Sequence, residues 1–357
     1  MIQKKRVGIL GATGMVGQQY LTLIADHPWF EITHVVASAS SAGKTYAEAV
    51  SGRWHMHTEL PEGVGQLMVH TVDDVVAVQA SCDFVFSALD GDIAKEWEEK
   101  YAAAGIPVVS NASTHRTTPD VPMIIPEINP EHLAMIPIQQ KNRGWDTGFI
   151  VVKPNCSIQS YMAPLATLHK KYHLEKVIVT TLQAISGAGH PGVSSYDIID
   201  NVIPYIGGEE KKSEMEPRKI FGTISEKSFV DDTSFVISAH CNRVGVMDGH
   251  MACVSFSCKE KPSKDDILLL WNTFSGEPQA LELPSAPVRP IHYFEQDNRP
   301  QPRLDRDRDK AMAVSVGRLR EDPILDWKFV GLSHNTIRGA AGGGVLIAEL
   351  LVAKKYL

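Results

Sequence analysis

The sequence has few cysteines, and neither they nor the histidines are spaced as metal ligands or disulfide partners usually are. The five cysteines form no C-x-x-C pair; they are Cys82, Cys156, Cys241, Cys253 and Cys258. An odd number without such pairs argues against a disulfide framework and against a structural zinc site. The histidines are scattered as well, so we expect no metal centre.

The chain also lacks an excess of basic charge and any long apolar run. It carries 35 Lys and Arg against 42 Asp and Glu, a net charge of -7 that argues against a nucleic-acid partner. No run of apolar residues approaches the length of a membrane span, so no membrane partner is expected. The N-terminus enters a strand pattern at once, without an apolar leader, and we therefore expect a cytoplasmic protein.

The 357 residues suffice for two domains with substantial cores. Short apolar strands at 7–10, 32–37, 83–88 and 106–109 alternate with helices at 15–25 and 93–104, which predicts a Rossmann-type, doubly wound parallel sheet. Later strands alternate polar and apolar residues, at 176–185, 235–239, 250–258, 312–319 and 327–332, and predict an α+β domain with a mixed sheet. We expect residues 1–153, completed by a helix within 335–357, to form the first domain and 154–334 the second.

Other segments are predicted as helices or loops. A helix should follow Cys156 as far as about residue 169, and another should span 263–274. Residues 338–354 are helix-prone after a run of glycines. Residues 296–310 have nearly balanced charges, which predicts a solvated loop or a subunit contact rather than a site for a phosphate polymer.

A glycine-rich turn follows the first strand and opens the first helix. Its sequence, Gly11-Ala12-Thr13-Gly14-Met15-Val16-Gly17, allows a tight turn and brings backbone N–H groups against a pyrophosphate at the helix N-terminus. The second strand ends in ASASSAGK, without the acidic residue that would bind the ribose 2′-hydroxyl of NAD. Hydroxyl groups and Lys44 there favour NADP. The contacts expected at this end of the cofactor are Gly11, Thr13, Gly14, Met15, Val16, Ser38 and Ser41.

Residues 148–157, GFIVVKPNCS, form an apolar strand that leads into Pro154-Asn155-Cys156-Ser157 and a helix. A thiol at a helix N-terminus is favoured in its thiolate form. The Asn155 amide can donate a hydrogen bond to an oxyanion on the attacked carbon. Cys156 is therefore the candidate covalent nucleophile.

Seven motifs in order resemble those of aspartate-β-semialdehyde dehydrogenase, archaeal/fungal branch, over nearly the whole chain: GATGMVG, SNASTHR, PNCS, SGAGHPG, GGEEKK, NRVGVMDGH and HNTIRGAAGGG. The resemblance implies reduction of L-aspartyl-4-phosphate by NADPH to L-aspartate 4-semialdehyde and phosphate, in lysine, threonine and methionine biosynthesis. The acyl group would pass through a thioester on Cys156. A homodimer or homotetramer is the family expectation.

The resemblance also implies roles for further residues. His250 would be the acid/base residue, and Arg243 would hold the α-carboxylate with a planar fork of donors. Glu209 would hold the α-ammonium. The remaining matches are the substrate-placing Gln183, the phosphate- and substrate-binding Lys212, Arg116 and Asn111, and the contacts to the nicotinamide half, Ser186, Gly187 and Asn335.

Three residues depart from the family pattern. Ser40 stands where an arginine facing the 2′-phosphate is expected, which weakens the preference for NADP over NAD. Lys153 and Ile158 flank the nucleophile and could change its pKa or its rate without removing the chemistry.

Three alternatives remain at this point. Malonyl-CoA reductase resembles the same branch and uses the same thioester logic, but it has no α-amino group for Glu209 and Lys212 to recognise. N-acetyl-glutamyl-phosphate reductase has an acylated amine, which leaves Glu209 without a role. A non-catalytic NADP-binding homologue is disfavoured because Cys156, His250 and Arg243 are all present.

Overall fold

The computed structural model describes residues 3–357. The strands, in chain order, are β1 Lys5–Leu10, β2 Phe30–Val36, β3 Val69–His70, β4 Phe84–Ser87, β5 Val108–Ser110, β6 Ile150–Val152, β7 Leu174–Gln183, β8 Thr223–Ile224, β9 Phe229–Val230, β10 Val236–Arg243, β11 His250–Cys258, β12 Ile291–Phe294, β13 Val314–Glu321 and β14 Trp327–Ser333. The α-helices are α1 Met15–Ile24, α2 Tyr46–Ala49, α3 Glu62–Gly65, α4 Val75–Ser81, α5 Gly91–Ala103, α6 Ile136–Arg143, α7 Gln159–Tyr172, α8 Ser195–Ile198, α9 Glu209–Ile220, α10 Lys264–Thr273, α11 Glu277–Ala280, α12 Pro302–Asp305, α13 Arg308–Ala311 and α14 Gly342–Ala353.

The first sheet is parallel throughout and has the strand order β3-β2-β1-β4-β5-β6. Its central strands are buried on both faces, as the runs VGIL and FVFS predict. The carboxyl ends of parallel strands lie at one edge of a sheet. The turn after β1, Asn111 after β5 and the Cys156 turn after β6 therefore lie at the same edge.

The second sheet is mixed and has the order β10-β7-β11-β14-β13-β12. Helix α7 packs on β11, β13 and β14, and α10 packs on β12. Residues alternate between buried and exposed along β10, so one face of the sheet is covered by these helices and the other is open at Ile178, Val236 and Cys253. The Rossmann-type sheet and the mixed sheet confirm the predicted fold class.

The C-terminal helix α14 packs against the first sheet. Its apolar residues share a core with Val7 and Phe84, and a Cβ on Gly344 would lie within the Tyr20 side chain. The helix begins at Gly342 rather than at Arg338, because Ala340 has φ -141° and ψ -108°, far from helical values.

Two further predictions differ from the structure. Strands β3 and β12 were not predicted, because two and four residues are too few to show a period. Residues 296–310 are not one continuous loop, because the short helix α12 interrupts them and the Arg299 guanidinium pairs with the buried Asp305; Asp309 and Lys310 have the positive φ values of a turn. Within residues 3–357, no helix combines the length and the apolar character needed to cross a membrane.

Candidate active site

Cys156 lies in a turn between β6 and α7, and α7 begins three residues later at Gln159. The Asn155 Oδ1 atom accepts hydrogen bonds from the Ser157 backbone N–H at 2.8 Å and from the Ser157 hydroxyl at 2.6 Å. Gly339 packs against the turn so closely that a Cβ there would lie 2.8 Å from the Cys156 Cβ. The turn is therefore fixed from two sides, and the Cys156 side chain remains partly exposed.

Glu209, at the first residue of α9, gathers three other residues singled out from the sequence. Its buried carboxylate accepts hydrogen bonds from Asn155 Nδ2 at 2.9 and 3.0 Å, from Lys212 Nζ at 2.9 Å and from Gln183 Nε2 at 3.3 Å. A buried carboxylate needs such partners to offset its desolvation. The Asn155 Nδ2 group thus faces a carboxylate, so only an N–H that does not point to Glu209 can donate to an oxyanion.

Glu216 is a site residue that the sequence analysis missed. It lies two turns after Glu209 on the same face of α9. Its carboxylate accepts the Asn155 backbone N–H at 2.6 Å and Arg116 Nη1 at 3.0 Å, and Arg116 Nη2 donates to the Asn111 carbonyl at 2.9 Å. The seven-residue spacing of two acidic residues in EEKKSEME is the signal that could have revealed it.

His250 and Arg243 both contact the backbone of Ala184. The Ala184 N–H donates to His250 Nδ1 at 3.0 Å, and Arg243 Nη1 donates to the Ala184 carbonyl at 2.6 Å. Because Nδ1 accepts, the neutral imidazole carries its proton on Nε2, which is buried without a hydrogen-bond partner among the described residues. Burial lowers the pKa of His250 to about 3, so the ring is neutral near pH 7.

The glycine-rich turn has the form expected of a phosphate cradle. Gly11 has φ +80°, and a Cβ there would lie 2.6 Å from the Ala88 carbonyl oxygen. Gly14 is the N-cap of α1, so no side chain caps the backbone N–H groups of the first turn. A pyrophosphate fits this arrangement of donors.

In the segment after β2, only some of the side chains expected to contact the cofactor are exposed. The hydroxyl groups of Ser38 and Ser40 lie 3.0 Å apart at the surface, and Lys44 Nζ donates to the Ser40 carbonyl at 3.0 Å. Ser41 is buried, and its Oγ has no partner within the described part of the chain. The exposed Ser38 is thus open to a ligand, whereas Ser41 can reach one only if this turn moves.

A cavity of about 280 Å³ lies between the start of α1 and the residues around Cys156. Asn335 lies at its wall, where its Nδ2 donates to the Ser186 hydroxyl at 2.9 Å and its Oδ1 accepts the Gly249 N–H at 2.8 Å. The residues predicted from the sequence that line the cavity are Met15, Val16, Asn111, Arg116, Asn155, Cys156, Ser186, Gly187, Glu209, Lys212 and Asn335. Gln183, Arg243 and His250 lie behind this wall, and the remaining cofactor residues lie along the glycine-rich turn and the end of β2.

The charges around Cys156 act in opposite directions. Burial raises the pKa of the Cys156 thiol, and the Glu209 carboxylate adds to this rise. Lys153, Arg116 and Arg243 oppose it with positive charge. The expectation that a helix N-terminus favours the thiolate is therefore wrong for the free chain, because α7 begins beyond Cys156 and desolvation dominates.

Lys153, one of the departures from the family pattern, is buried at the wall of the cavity. Its Nζ donates to the Pro154 carbonyl. Burial, together with the charge of Arg116, lowers the pKa of Lys153 to about 7, so this amine changes its charge near neutral pH.

Two family descriptions match the chain. "Semialdehyde dehydrogenase, NAD binding domain" matches residues 6–136, and "Semialdehyde dehydrogenase, dimerisation domain" matches residues 165–338. The first range holds five of the six strands of the parallel sheet, and the second holds the whole mixed sheet.

Similar proteins agree with these descriptions. Aspartate-semialdehyde dehydrogenase of Schizosaccharomyces pombe is 45% identical over 355 residues, which cover 98% of each chain. The enzyme of Methanothermobacter thermautotrophicus is 46% identical over 347 residues, which cover 97% of this chain and 98% of that protein. The solved structure of Candida albicans aspartate-semialdehyde dehydrogenase with NADP is 44% identical, covers 99% of this chain and 100% of that one, and superposes with a TM-score of 0.91. With this identity over its whole length, and with this fold and set of site residues, the chain belongs to the aspartate-semialdehyde dehydrogenase family.

Proposed function

We propose that this protein reduces L-aspartyl-4-phosphate with NADPH to L-aspartate 4-semialdehyde and phosphate, through a thioester on Cys156. One observation carries the proposal. The cavity beside Cys156 is lined on one side by the N-terminal residues of α1 and on the other by Glu209, Lys212 and Arg116. The nucleophile, the start of the helix after the glycine-rich turn and the side chains that match the charges of the substrate thus surround one cavity.

The charged residues of the site match the charges of the substrate. Within residues 3–357, Arg243 makes a hydrogen bond through Nη1 alone, which leaves the other donors of its planar fork for the α-carboxylate. Glu209 is positioned for the α-ammonium, and three donors already hold its carboxylate in place. Arg116 and Lys212 supply cationic donors for the phosphate, with Asn111 beside them.

The reaction requires one covalent intermediate. Cys156 attacks the acyl carbon as the thiolate, after its thiol proton has passed to the substrate phosphate. The carbon–sulfur bond forms, and the bond between the acyl carbon and the phosphate oxygen breaks, with its electron pair leaving on the phosphate. When bound, NADPH would supply the hydride that reduces the thioester carbon. The carbon–sulfur bond then breaks, and Cys156 recovers its thiolate.

The orientation of His250 defines its contribution. Its Nε2–H is the free donor of the ring, and it can donate to the carbonyl oxygen as negative charge develops there. Proton uptake at Nδ1 would place two N–H groups against each other at Ala184. We therefore assign the acid side of acid/base catalysis to Nε2–H.

The cofactor fits the residues present. The cradle after β1 suits a pyrophosphate, and Ser186, Gly187 and Asn335 lie beside Cys156, where the nicotinamide half must be. The Ser38 hydroxyl and the Lys44 ammonium favour a 2′-phosphate, although Ser40 stands where an arginine is expected, and the Candida albicans relative was solved with NADP.

We further propose two functional domains and a homodimer or homotetramer. Residues 1–153 with 335–357 bind the cofactor, and residues 154–334 carry catalysis and subunit contacts. The open face of the mixed sheet supports this, because Ile178 is 44% and Val236 53% exposed on it. Light scattering on the purified protein tests the assembly, and a monomer would contradict it.

The decisive experiment is phosphate-dependent reduction of NADP with L-aspartate semialdehyde, followed by absorbance. Parallel reactions use NAD in place of NADP, or malonate semialdehyde with coenzyme A. We expect activity that requires both phosphate and the amino-acid aldehyde, and a preference for NADP. Activity with the coenzyme A pair alone would favour malonyl-CoA reductase. A folded protein that binds NADP but is inactive in every reaction would favour the non-catalytic homologue.

A matched pair of cysteine variants tests the nucleophile. Cys156→Ala should abolish turnover, because no thioester can form. Cys253→Ser, at an exposed cysteine on β11, should leave turnover within twofold. Substantial activity in Cys156→Ala would contradict the proposed mechanism.

A further inference from the structure

Three metal-ligating side chains lie together at the edge of the first sheet, outside the site described above. His34 is on β2, His70 is on the neighbouring β3, and Asp74 precedes α4. One ligand atom from each lies within 4.8 Å of the other two. The sequence could not show this cluster, because it depends on the pairing of β3 with β2.

The strand register explains the proximity. Val36 pairs with His70, and His34 precedes Val36 by two residues, so both imidazoles lie on the same face of the sheet. Their ring centroids are 4.0 Å apart. Helix α4 crosses this face and brings Ser81 to His34.

The hydrogen bonds of Ser81 leave one nitrogen of His34 ready for a metal ion. The Ser81 hydroxyl donates to the Ala77 carbonyl at 2.6 Å, so it accepts from His34 Nδ1–H at 3.1 Å. The proton is then on Nδ1, and Nε2 carries a lone pair. The His34 side chain is only 6% exposed, and Nε2 has no hydrogen-bond partner within residues 3–357. A metal-bound histidine commonly donates its other N–H in this way.

His70 and Asp74 complete the cluster on its outer side. His70 Nδ1–H donates a hydrogen bond to Asp74 Oδ2 across 2.7 Å, so one proton lies between the two atoms. Two ligand atoms of one tetrahedral ion lie about 3.3 Å apart, given bonds of about 2.0 Å. An ion that replaces this proton therefore needs only small rotations of these two side chains. Their side chains are 33% and 39% exposed, which gives the ion an entry path and leaves a fourth position for water.

We propose that His34 Nε2, His70 Nδ1 and Asp74 Oδ2 bind a borderline transition-metal dication such as Zn²⁺ or Co²⁺. Two imidazoles and one carboxylate are ligands that such ions prefer. The ion ties β2, β3 and α4 together next to the turn of residues 37–44. The His70 carbonyl accepts the Ala37 N–H at 3.0 Å, so the bound ion stabilises the start of that turn.

Titration with Co²⁺ tests the proposal without reference to activity. The Cys156→Ala variant is used, so that the catalytic thiol does not contribute a sulfur-to-metal absorption band. We expect one Co²⁺ per chain, the visible bands of a tetrahedral nitrogen and oxygen site, release of a proton, and a higher thermal midpoint. Zn²⁺ should displace Co²⁺.

Variants identify the ligands. On the same background, His70→Gln should weaken binding at least tenfold, and Ser81→Ala should weaken it about tenfold by freeing the His34 ring. His55→Gln is the matched control: His55 stacks on His190 with centroids 3.7 Å apart but is not part of a three-ligand cluster. Absence of a tetrahedral Co²⁺ spectrum, or binding unchanged by His70→Gln, would overturn the proposal.

Discussion

Replacement of Glu216 by glutamine tests the core of the site most directly. The carboxylate accepts two hydrogen bonds with its two oxygens, from the Asn155 backbone N–H and from Arg116 Nη1. Glutamine keeps the shape but has only one acceptor. Its NH₂ group must face one of these two donors, and the buried guanidinium loses its counter-charge.

The cost can be estimated from the burial of the pair. Loss of one partner from a buried ion pair costs about 3–5 kcal/mol. Arg116 keeps its bond to the Asn111 carbonyl and borders a cavity, so we expect the lower end, about 3 kcal/mol. With an unfolding entropy of ~2.1 cal/mol/K per residue, this lowers the thermal midpoint of the whole chain by about 4 °C. Because the same carboxylate positions the Cys156 turn, kcat/KM should fall at least tenfold.

Calorimetry and steady-state kinetics measure the two effects together. Glu214→Gln is the control on the same helix: among residues 3–357 its carboxylate accepts only the Ala239 N–H, at 3.1 Å, and an amide oxygen can accept the same bond. We expect that control to change stability by no more than ~0.5 kcal/mol. If Glu216→Gln matched the control in both midpoint and kcat/KM, the assignment of Glu216 as a positioning residue would be refuted.

Three further predictions concern the thiol, a glycine and a buried acid. Because burial raises the pKa of Cys156, its alkylation in the free enzyme should still accelerate above pH 8, and a plateau below pH 7 would contradict this. Gly187→Ala should lower kcat/KM about 100-fold, because the new Cβ would lie 2.8–2.9 Å from Arg243 and His250. Gly63→Ala is the control: its Cβ would meet open space, so kcat/KM should not change. Equal kinetics of the two variants would refute the steric argument. Burial raises the pKa of Glu98 to about 7, above its value of about 4.5 in the unfolded chain, so the folded state binds this proton more tightly. The contribution of this proton to the free energy of unfolding is complete below about pH 4.5, and about 3 kcal/mol of it is lost as the pH rises to 7. Glu98→Gln should remove that loss, and parallel curves of thermal midpoint against pH for the two proteins would show that Glu98 does not titrate there.

The sequence alone determined the order of the elements and the type of each sheet. Apolar runs interleaved with helices are a local signal, and so is the glycine-rich turn after β1, because both depend on neighbouring residues. The nucleophile could be predicted for the same reason, because Cys156, the preceding Asn155 and the strand before them form one continuous segment. Strand β11 was predicted at its observed residues, His250–Cys258, because its alternation is long and unbroken.

Tertiary structure decided the properties that depend on residues far apart in the chain. Glu216 reaches Arg116 across 100 positions, and no local pattern reveals which carboxylate will face which guanidinium. The pKa of Cys156 has the same origin: burial in the folded site and the Glu209 carboxylate raise it, so its direction follows from the tertiary structure and not from the sequence. His250 could be predicted as a functional residue, but its proton-bearing nitrogen is set by the Ala184 N–H, which only the packing of β7 beside β11 brings to the ring.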